Sequence, residues 1–470
     1  MSERTLPTHL LYRHALRWLY AFSDTERTGA FVRDRGENLR RERALLATLD
    51  DPQRAYGIIH IAGSKGKGST SALITSILMA AGVRAGLYTS PDLHTFRERI
   101  RIAGEPVSEE EIVRLVAIMR EALERTDPSV GPYITWEVAT ALAFLAFREA
   151  GVERAVIEVG LGGRLDATNV VEPDVCAITS ISYEHMEILG HTLTEIAFEK
   201  AGIIKPGVPV VTSARAPEAL AEIARVAMER HAPLTRVGPA GAEDCAYTWR
   251  EGAVGETFQR FDVITPTGAY RDLEISLLGA HQIENATAAV ALAEITRARG
   301  LAALDERAIR EGLRAARWEG RLQVVGRAPW QVIDGAHNAA SFAALFAALR
   351  RHFRYRQITL VLGMMADKDI EGIMREINAA GVSTIITTAA NSLRALSPDD
   401  LRDRATRSTT AQVISARDAA SALAMAQTMA GPDDLILVAG TLYLAAEALR
   451  WYAGQPEGFI GAIQIAGVDH

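Results

Sequence analysis

Cysteine is almost missing from this 470-residue chain: Cys176 and Cys245 are the only two. They form no CxxC, and neither stands in a cluster with histidines, so a disulfide framework and a structural zinc site are both excluded and a reducing, cytoplasmic setting fits best. Long apolar runs are missing as well. The N-terminal stretch HLLYRHALRWLYAF is apolar on one face, but Arg13, His14 and Arg17 interrupt it before a signal-peptide core or a membrane span could form, which leaves an amphipathic first helix. Nor is there a surplus of positive charge: the net charge of −7 argues against wholesale binding to nucleic acid or an anionic membrane. No internal repeat, low-complexity tract or guanine-reading N-K-x-D stretch is present. The remaining composition is that of an ordinary globular protein, and the length exceeds what one hydrophobic core supports, so two or three domains are expected.

From about residue 56 onward, short apolar runs alternate with helical patterns, the signature of β-α-β units around a mainly parallel sheet. YGIIHIAG reads as a buried strand, GSKGKGST (Gly63 to Thr70) as the loop after it, and STSALITSILMAAG as a helix ending near Gly82 before the strand RAGLYTS. ERIRIAGEPVSEEEI predicts a short strand pair and then a helix capped by Ser108, with Glu111 completing a capping box. YITWEVATALAFLAFREAG predicts a long, mostly apolar helix. Strands recur at RAVIEVG, DVCAITSIS and VPVVTSA, a β-rich patch at RFDVITPTGAYRDLEISLLG interrupts the alternation, and helices return at ENATAAVALAEITRA and DERAIREGLRAA. The pattern restarts near residues 316–328. QVIDGAHN, ITLVLGMM, STIITTAA and DLILVAGT read as strands of a smaller, doubly wound (Rossmann-like) α/β domain, so the expected division is 1–318 and 319–470.

The loop breaks the usual phosphate-binding pattern G-x-x-x-x-G-K-[ST]. Ile61 stands where the first glycine belongs, and Gly68 follows the lysine, so the hydroxyls of Ser69 and Thr70 arrive one step late. The ordinary alternative is a glycine-rich turn that merely joins strand to helix. Lys67 favours the phosphate reading: flanked by glycines at a helix start after a buried strand, it is placed to reach phosphate oxygens, with backbone N–H groups and the helix dipole beside it. Other candidates lie past strand ends, where open α/β sheets bind ligands. Glu158 closes AVIEV and could hold Mg²⁺, unless an arginine such as Arg164 satisfies it. His185 follows CAITSIS, and Lys200 lies in IAFEKAGIIKPG. Asp334 and His337 follow a strand of the second unit in DGAHN, where Asp334 could equally cap the next helix.

Together these motifs resemble the folylpolyglutamate synthase/dihydrofolate synthase family, within the Mur ligase group of ATP-dependent amide-forming enzymes. The likeness runs over most of the chain: LRRERALLATLDDP, HIAGSKGKGSTSA, YTSPDLHTFRERIRI, IEVGLGGRLDATNV, YEHMEILGHTLTEIAFEKAGIIKPG, GAHQIENATAA, WEGRLQVV, DGAHN, GMMADKD and LVAGTLYLAAE, in order. The family's phosphate loop is a short variant with a second glycine after the lysine, and its usual Thr-Asn pair is Ser64-Lys65 here. The resemblance implies a P-loop-containing, Mur-ligase-like ATP-binding domain followed by the smaller C-terminal domain. It implies that Gly66, Lys67, Gly68 and Ser69 cradle the phosphates and that Ser69, Ser90, Glu158 and His185 hold metal. Lys200 matches a lysine that the family modifies to a carbamate. Asn285, Arg321, Asp334 and His337 match residues that hold ATP from the far side. The implied cofactors are ATP and two Mg²⁺, with K⁺ left open, and the implied substrates are L-glutamate and a folate or pteroate. The expected protein is a cytoplasmic monomer without nucleic-acid or membrane partners.

The chemistry agrees. A carboxylate oxygen is a poor leaving group, so ATP must first convert the carboxylate to an acyl phosphate; Lys67 and Mg²⁺ would offset the repulsion between the two anions that meet. Two readings compete: another Mur-type ligase acting on a cell-wall precursor, and a nucleotide-binding regulator that hydrolyses without ligating. Lys368 and Tyr443, after second-domain strands, are placed as contacts for the incoming glutamate from position alone, and a solvated Lys368 is the plainer alternative. The tail GQPEGFIGAIQIAGVDH has no assignment.

Overall fold

Successive side chains of a strand point to opposite faces, and on β1 (Gly57–Ala62) both faces are apolar or buried, so the strand has to lie inside a sheet covered on both sides. The computed structural model describes residues 7–23 and 36–454 and places β1 in the interior of an eleven-stranded sheet, between β6 and β5. The tail beyond Gly454 lies outside the described residues. In chain order the other strands are β2 (Ala85–Tyr88), β3 (Ile100–Ile102), β4 (Glu105–Pro106), β5 (Arg154–Glu158), β6 (Val175–Ile178), β7 (Val210–Thr212), β8 (Leu234–Pro239), β9 (Tyr247–Val254), β10 (Gln259–Thr265) and β11 (Gly268–Ile275). Their spatial order is β11-β10-β9-β8-β7-β6-β1-β5-β2-β3-β4. From β9 to β2 the pairs are parallel, while β3, β4, β10 and β11 add antiparallel edges.

Ile59, Ile61 and Val156 face a core formed with the helices Lys67–Ala80, Ala280–Ala298 and Glu306–Ala315. Ile58, Ala155 and Ile157 face the opposite core, with the helices Thr8–Leu19, Glu37–Thr48, Glu109–Arg125 and Thr135–Glu149. The β-rich patch interrupts the strand–helix alternation as expected and extends the same sheet through β10 and β11, and β8 and β9, which lack clear apolar runs, belong to it. Ser108 caps its helix through Glu111 N–H, at 3.1 Å. The reciprocal half of the predicted box differs, because the Glu111 carboxylate pairs with Arg114 at 2.7 Å.

The second sheet orders β12 (Gln323–Gly326), β13 (Trp330–Ile333), β17 (Leu435–Ala439), β14 (Ile358–Leu362), β15 (Thr384–Thr387) and β16 (Gln412–Ser415). All but β12 run parallel. The helices Ala339–His352, Ile370–Ala379 and Pro398–Thr406 cover one face, and Ala419–Met429 and Leu442–Tyr452 the other, which makes this unit doubly wound. Among the described residues no helix is long and apolar enough to cross a membrane.

Under the first sheet, Glu42 is fully buried, and neither of its oxygens has a hydrogen-bond partner among the described residues. Burial, with Glu137 and Asp166 nearby, pushes its pKa well above the usual carboxylate range; Glu137 is paired with Arg41 at 2.7 Å. Folded Glu42 thus holds its proton to higher pH than the unfolded chain does, so its share of stability is full below the unfolded value of 4.5 and is lost as pH rises. Urea unfolding should show Glu42→Leu to be more stable than the parent at pH 8 by about 1–3 kcal/mol, with the gain shrinking toward pH 4.5; equal stability at pH 8 would contradict this account.

Candidate active site

Parallel pairing puts the C-terminal ends of β2, β5, β1 and β6 on one edge of the first sheet, and the loops that leave those ends build the site. After β1 the chain turns through Gly63–Gly66 into the helix Lys67–Ala80. Gly66 precedes the helix with φ of 88°, in the left-handed region, and a Cβ there would lie 2.3 Å from Asn285 Oδ1. The first N–H groups of the helix have no partner within it and face outward with the positive end of the dipole. Ser64 and Lys65 are pinned to the chain after β6: Ser64 Oγ donates to Ser182 O at 3.1 Å, and Thr179 Oγ1 donates to Lys65 O at 2.7 Å.

Three ammonium groups converge on this loop. Lys67 Nζ donates to Gly63 O at 3.0 Å. Lys200 Nζ donates to the same carbonyl at 3.0 Å and to Glu184 Oε1 at 2.7 Å. Lys65 Nζ lies 4.0 Å from Glu184 Oε2 and 3.4 Å from His337 Nε2. Burial alone would raise the Glu184 pKa, but Lys200, Lys67 and Lys65 outweigh it and hold the carboxyl at about 2. Lys200 is 1% exposed, and burial pulls its pKa down against the attraction of Glu184. Burial also brings Lys65 to about 8, with Glu184 opposing.

Beside the loop, Ser90 N–H donates to Glu158 Oε2 at 3.2 Å, which brings the ends of β2 and β5 together. Arg164 does not satisfy Glu158; it pairs with Glu199 at 2.7 Å. His185 is exposed, with φ of 44°, at the start of the short helix Met186–Leu189. A cavity of about 480 Å³ runs from Gly68, Ser90 and Glu158 to Trp318 and Arg321, and a Cβ on Gly68 would lie 3.2 Å from the Trp318 ring.

The second unit meets this edge with its own strand ends. Asp334 accepts from Leu322 N–H at 2.8 Å and Ala336 N–H at 2.7 Å, and so fixes the turn that carries Arg321. Burial raises the Asp334 pKa, and Arg321 opposes the rise. Asp334 is not the helix cap: Asn338 Oδ1 accepts from Ser341 N–H at 2.9 Å and caps Ala339–His352. His337 Nδ1–H donates to Gly335 O at 2.9 Å, so Nε2 presents a lone pair to Lys65. Lys368 is held by Asp367 at 2.8 Å, and its charge reaches Lys65, His185 and His337. Tyr443 lies in the first turn of the helix Leu442–Tyr452.

Lys67, Lys200, Asn285 and the Ser90–Glu158 pair thus gather on one edge, with His185 beside them and Arg321, Asp334 and His337 facing them. Sequence reasoning missed Glu184, although it adjoins His185 in the quoted YEHMEILG; that segment offers Glu184 and Glu187 alike, and only the fold selects the one that reaches Lys200. It also missed Trp318, whose contact with Gly68 spans a long stretch of chain.

Known proteins are similar to this chain in sequence and fold. Residues 61–293 match the Mur ligase middle domain, and residues 320–442 match the glutamate ligase domain of Mur ligases. The chain is similar to a dihydrofolate synthase/folylpolyglutamate synthase of Bacillus subtilis, 36% identical over 413 residues that cover 87% of this chain and 93% of the relative. Among solved structures it is similar to the folylpolyglutamate synthase of Mycobacterium tuberculosis complexed with ADP and AMPPCP, with a TM-score of 0.85, 30% identity and coverage of 96% and 100% of the two chains. It is also similar to E. coli FolC in complex with DHPP and ADP, with a TM-score of 0.81, 27% identity and coverage of 97% and 99%.

Removing one member of a buried ion pair strands the other. Glu184→Gln should therefore lower unfolding stability at pH 7 by about 3–5 kcal/mol, and adding Lys200→Met should recover most of the loss. A double variant no more stable than Glu184→Gln would contradict the pairing.

Proposed function

The chain belongs to the folylpolyglutamate synthase/dihydrofolate synthase family of Mur ligases, and on that premise we propose how its site performs ATP-dependent ligation of L-glutamate to a folate-type carboxylate. The observation that carries the reading is the convergence of Lys67, Lys200 and the Ser90–Glu158 pair with Arg321, Asp334 and His337 across one cleft. Gly66, Lys67, Gly68 and Ser69 cradle the phosphates. Asn285 lines the loop at Gly66, and Arg321, Asp334 and His337 hold the nucleotide from the second unit, with Asp334 acting by fixing the Arg321 turn. The division at 318/319 leaves the phosphate loop on one unit and these three residues on the other. The working form is a cytoplasmic monomer.

The donor set fits magnesium. Glu158 would supply a carboxylate at a strand end, and Ser69, Ser90 and His185 would supply further donors to an ion that keeps several waters. Bound there, Mg²⁺ would neutralise the charge that develops on the transferred phosphoryl group. Lys200 is buried, and burial favours the neutral amine, the form that adds CO₂ to give Lys–NH–COO⁻ and a proton. The resulting anion would stand beside Glu184, so the modification requires a cation between the two.

The residues of the chain then act in order. Lys67 and the loop N–H groups hold the γ-phosphate for in-line attack by the substrate carboxylate, and ADP leaves. The amine of glutamate, as free base, attacks the acyl phosphate, and inorganic phosphate leaves. The second unit covers the cleft and keeps water from the activated acyl group.

A product-resolved assay with dihydropteroate and tetrahydrofolate in parallel, each with ATP, Mg²⁺ and L-glutamate, tests the reading. Phosphate release should require both glutamate and the pteroate or folate, and hydroxylamine should trap the acyl phosphate when glutamate is left out. Lys67→Met should lower kcat/KM by about 10³-fold without moving the melting temperature. Phosphate release indifferent to glutamate would replace this reading with a nucleotide-hydrolysing regulator, and turnover only with a cell-wall precursor would replace it with another Mur-type ligase.

A further inference from the structure

Lys65 adds a charge to the loop that phosphate binding by Lys67 and the backbone N–H groups does not require. Its main chain is rigid, because Thr179 Oγ1 and Ser180 Oγ both donate to Lys65 O, at 2.7 and 3.2 Å. Its side chain leaves the first unit and ends 3.4 Å from His337 Nε2 of the second. His337 is equally fixed: its ring N–H is used on Gly335 O at 2.9 Å and its main-chain N–H on Ser341 Oγ at 3.1 Å. Burial, with Lys65 next, brings the His337 pKa to about 4, so the ring meets Lys65 as a neutral acceptor.

Around this contact the charges are unequal. Lys65, Lys67 and, while its amine is unmodified, Lys200 on the first unit face Arg321 and Lys368 on the second, and the charges of Lys67, Arg321 and Lys368 reach Lys65. Glu184 serves the first three, Asp334 faces Arg321, and Asp367 is shared between Lys368 and Arg394. Bringing the two units together therefore sets cations against cations, a cost that a phosphate placed among them would relieve. Lys65 reaches across the seam to a neutral ring.

We propose that Lys65 is a positioning residue that couples closure of the cleft to the presence of phosphate: held by Glu184 and the Nε2 lone pair of His337, it clamps the second unit over the loop while the acyl phosphate exists. The role rests on the ligase reading above. A weakened clamp lets water reach the acyl phosphate, so the diagnostic quantity is the number of phosphates released per amide formed, which closure holds near one.

The test measures both products with the full-length enzyme. Lys65→Met and Lys65→Asn should melt as the parent does, keep ADP affinity within about threefold, and release several phosphates per amide. Lys65→Arg, which keeps the charge, should stay near one. Lys65→Met and His337→Phe should be non-additive in this ratio when combined. A ratio near one in Lys65→Met and Lys65→Asn, or additive effects of Lys65→Met and His337→Phe, would overturn the proposal. Absence of amide product in the parent enzyme would instead overturn the ligase reading, which keeps the two failures distinct.

Discussion

Three lysines crowd one loop, and the carboxylate of Glu184 is what lets the fold hold them together. At effective dielectric constants near 20, two ammonium groups a few ångströms apart repel by several kcal/mol. Glu184 lies within 4.0 Å of both Lys200 and Lys65, and the Gly63 carbonyl accepts from Lys200 and Lys67. One acid and one peptide oxygen thus organise a strongly cationic bowl at the end of β1. The bowl depends in turn on the parallel sheet, since Gly63 follows β1 while Glu184 lies on the segment after β6, beside β1 in the sheet. A slip of one residue in the β1–β6 register would turn that segment to the other face and leave Lys200 buried without its anion.

The same logic sets which parts of the site the sequence exposes. A buried strand, a glycine-rich turn and a helix form a local signal, because apolar continuity and left-handed glycine are properties of a short window; β1, the loop and its helix are legible for that reason. DGAHN is legible as a turn after a strand, yet whether Asp334 or Asn338 caps the helix depends on where the carboxylate points, and it points to Leu322 and Ala336. Glu184 and Glu187 are indistinguishable until β6 is laid beside β1. β8, β12 and β16 escaped notice because they are only partly buried, and β12 and β16 are also short, so period-two alternation has few apolar residues to work with. The buried Glu42 inside RRERALL breaks the pattern outright, since a charged residue in a helical window reads as its solvated face.

The irregular loop has a packing cause as well as a chemical one. The extra glycine after Lys67 lies where the Trp318 ring, from the segment between the two units, comes within 3.2 Å of a built Cβ. A Ser or Thr at that position, as the common pattern demands, would push the indole away from the helix start, where it packs on the first core. Trp318 stands three residues before Arg321, so the indole and the arginine that faces the loop belong to one short segment. Gly68 therefore serves the seam between the units, and the hydroxyl that would accompany the lysine is displaced to Ser69, buried at 4% exposure in the first turn of the helix. The spacing GKGS is what results when one loop has to cradle an anion and at the same time let the segment leading to the second unit lie against it.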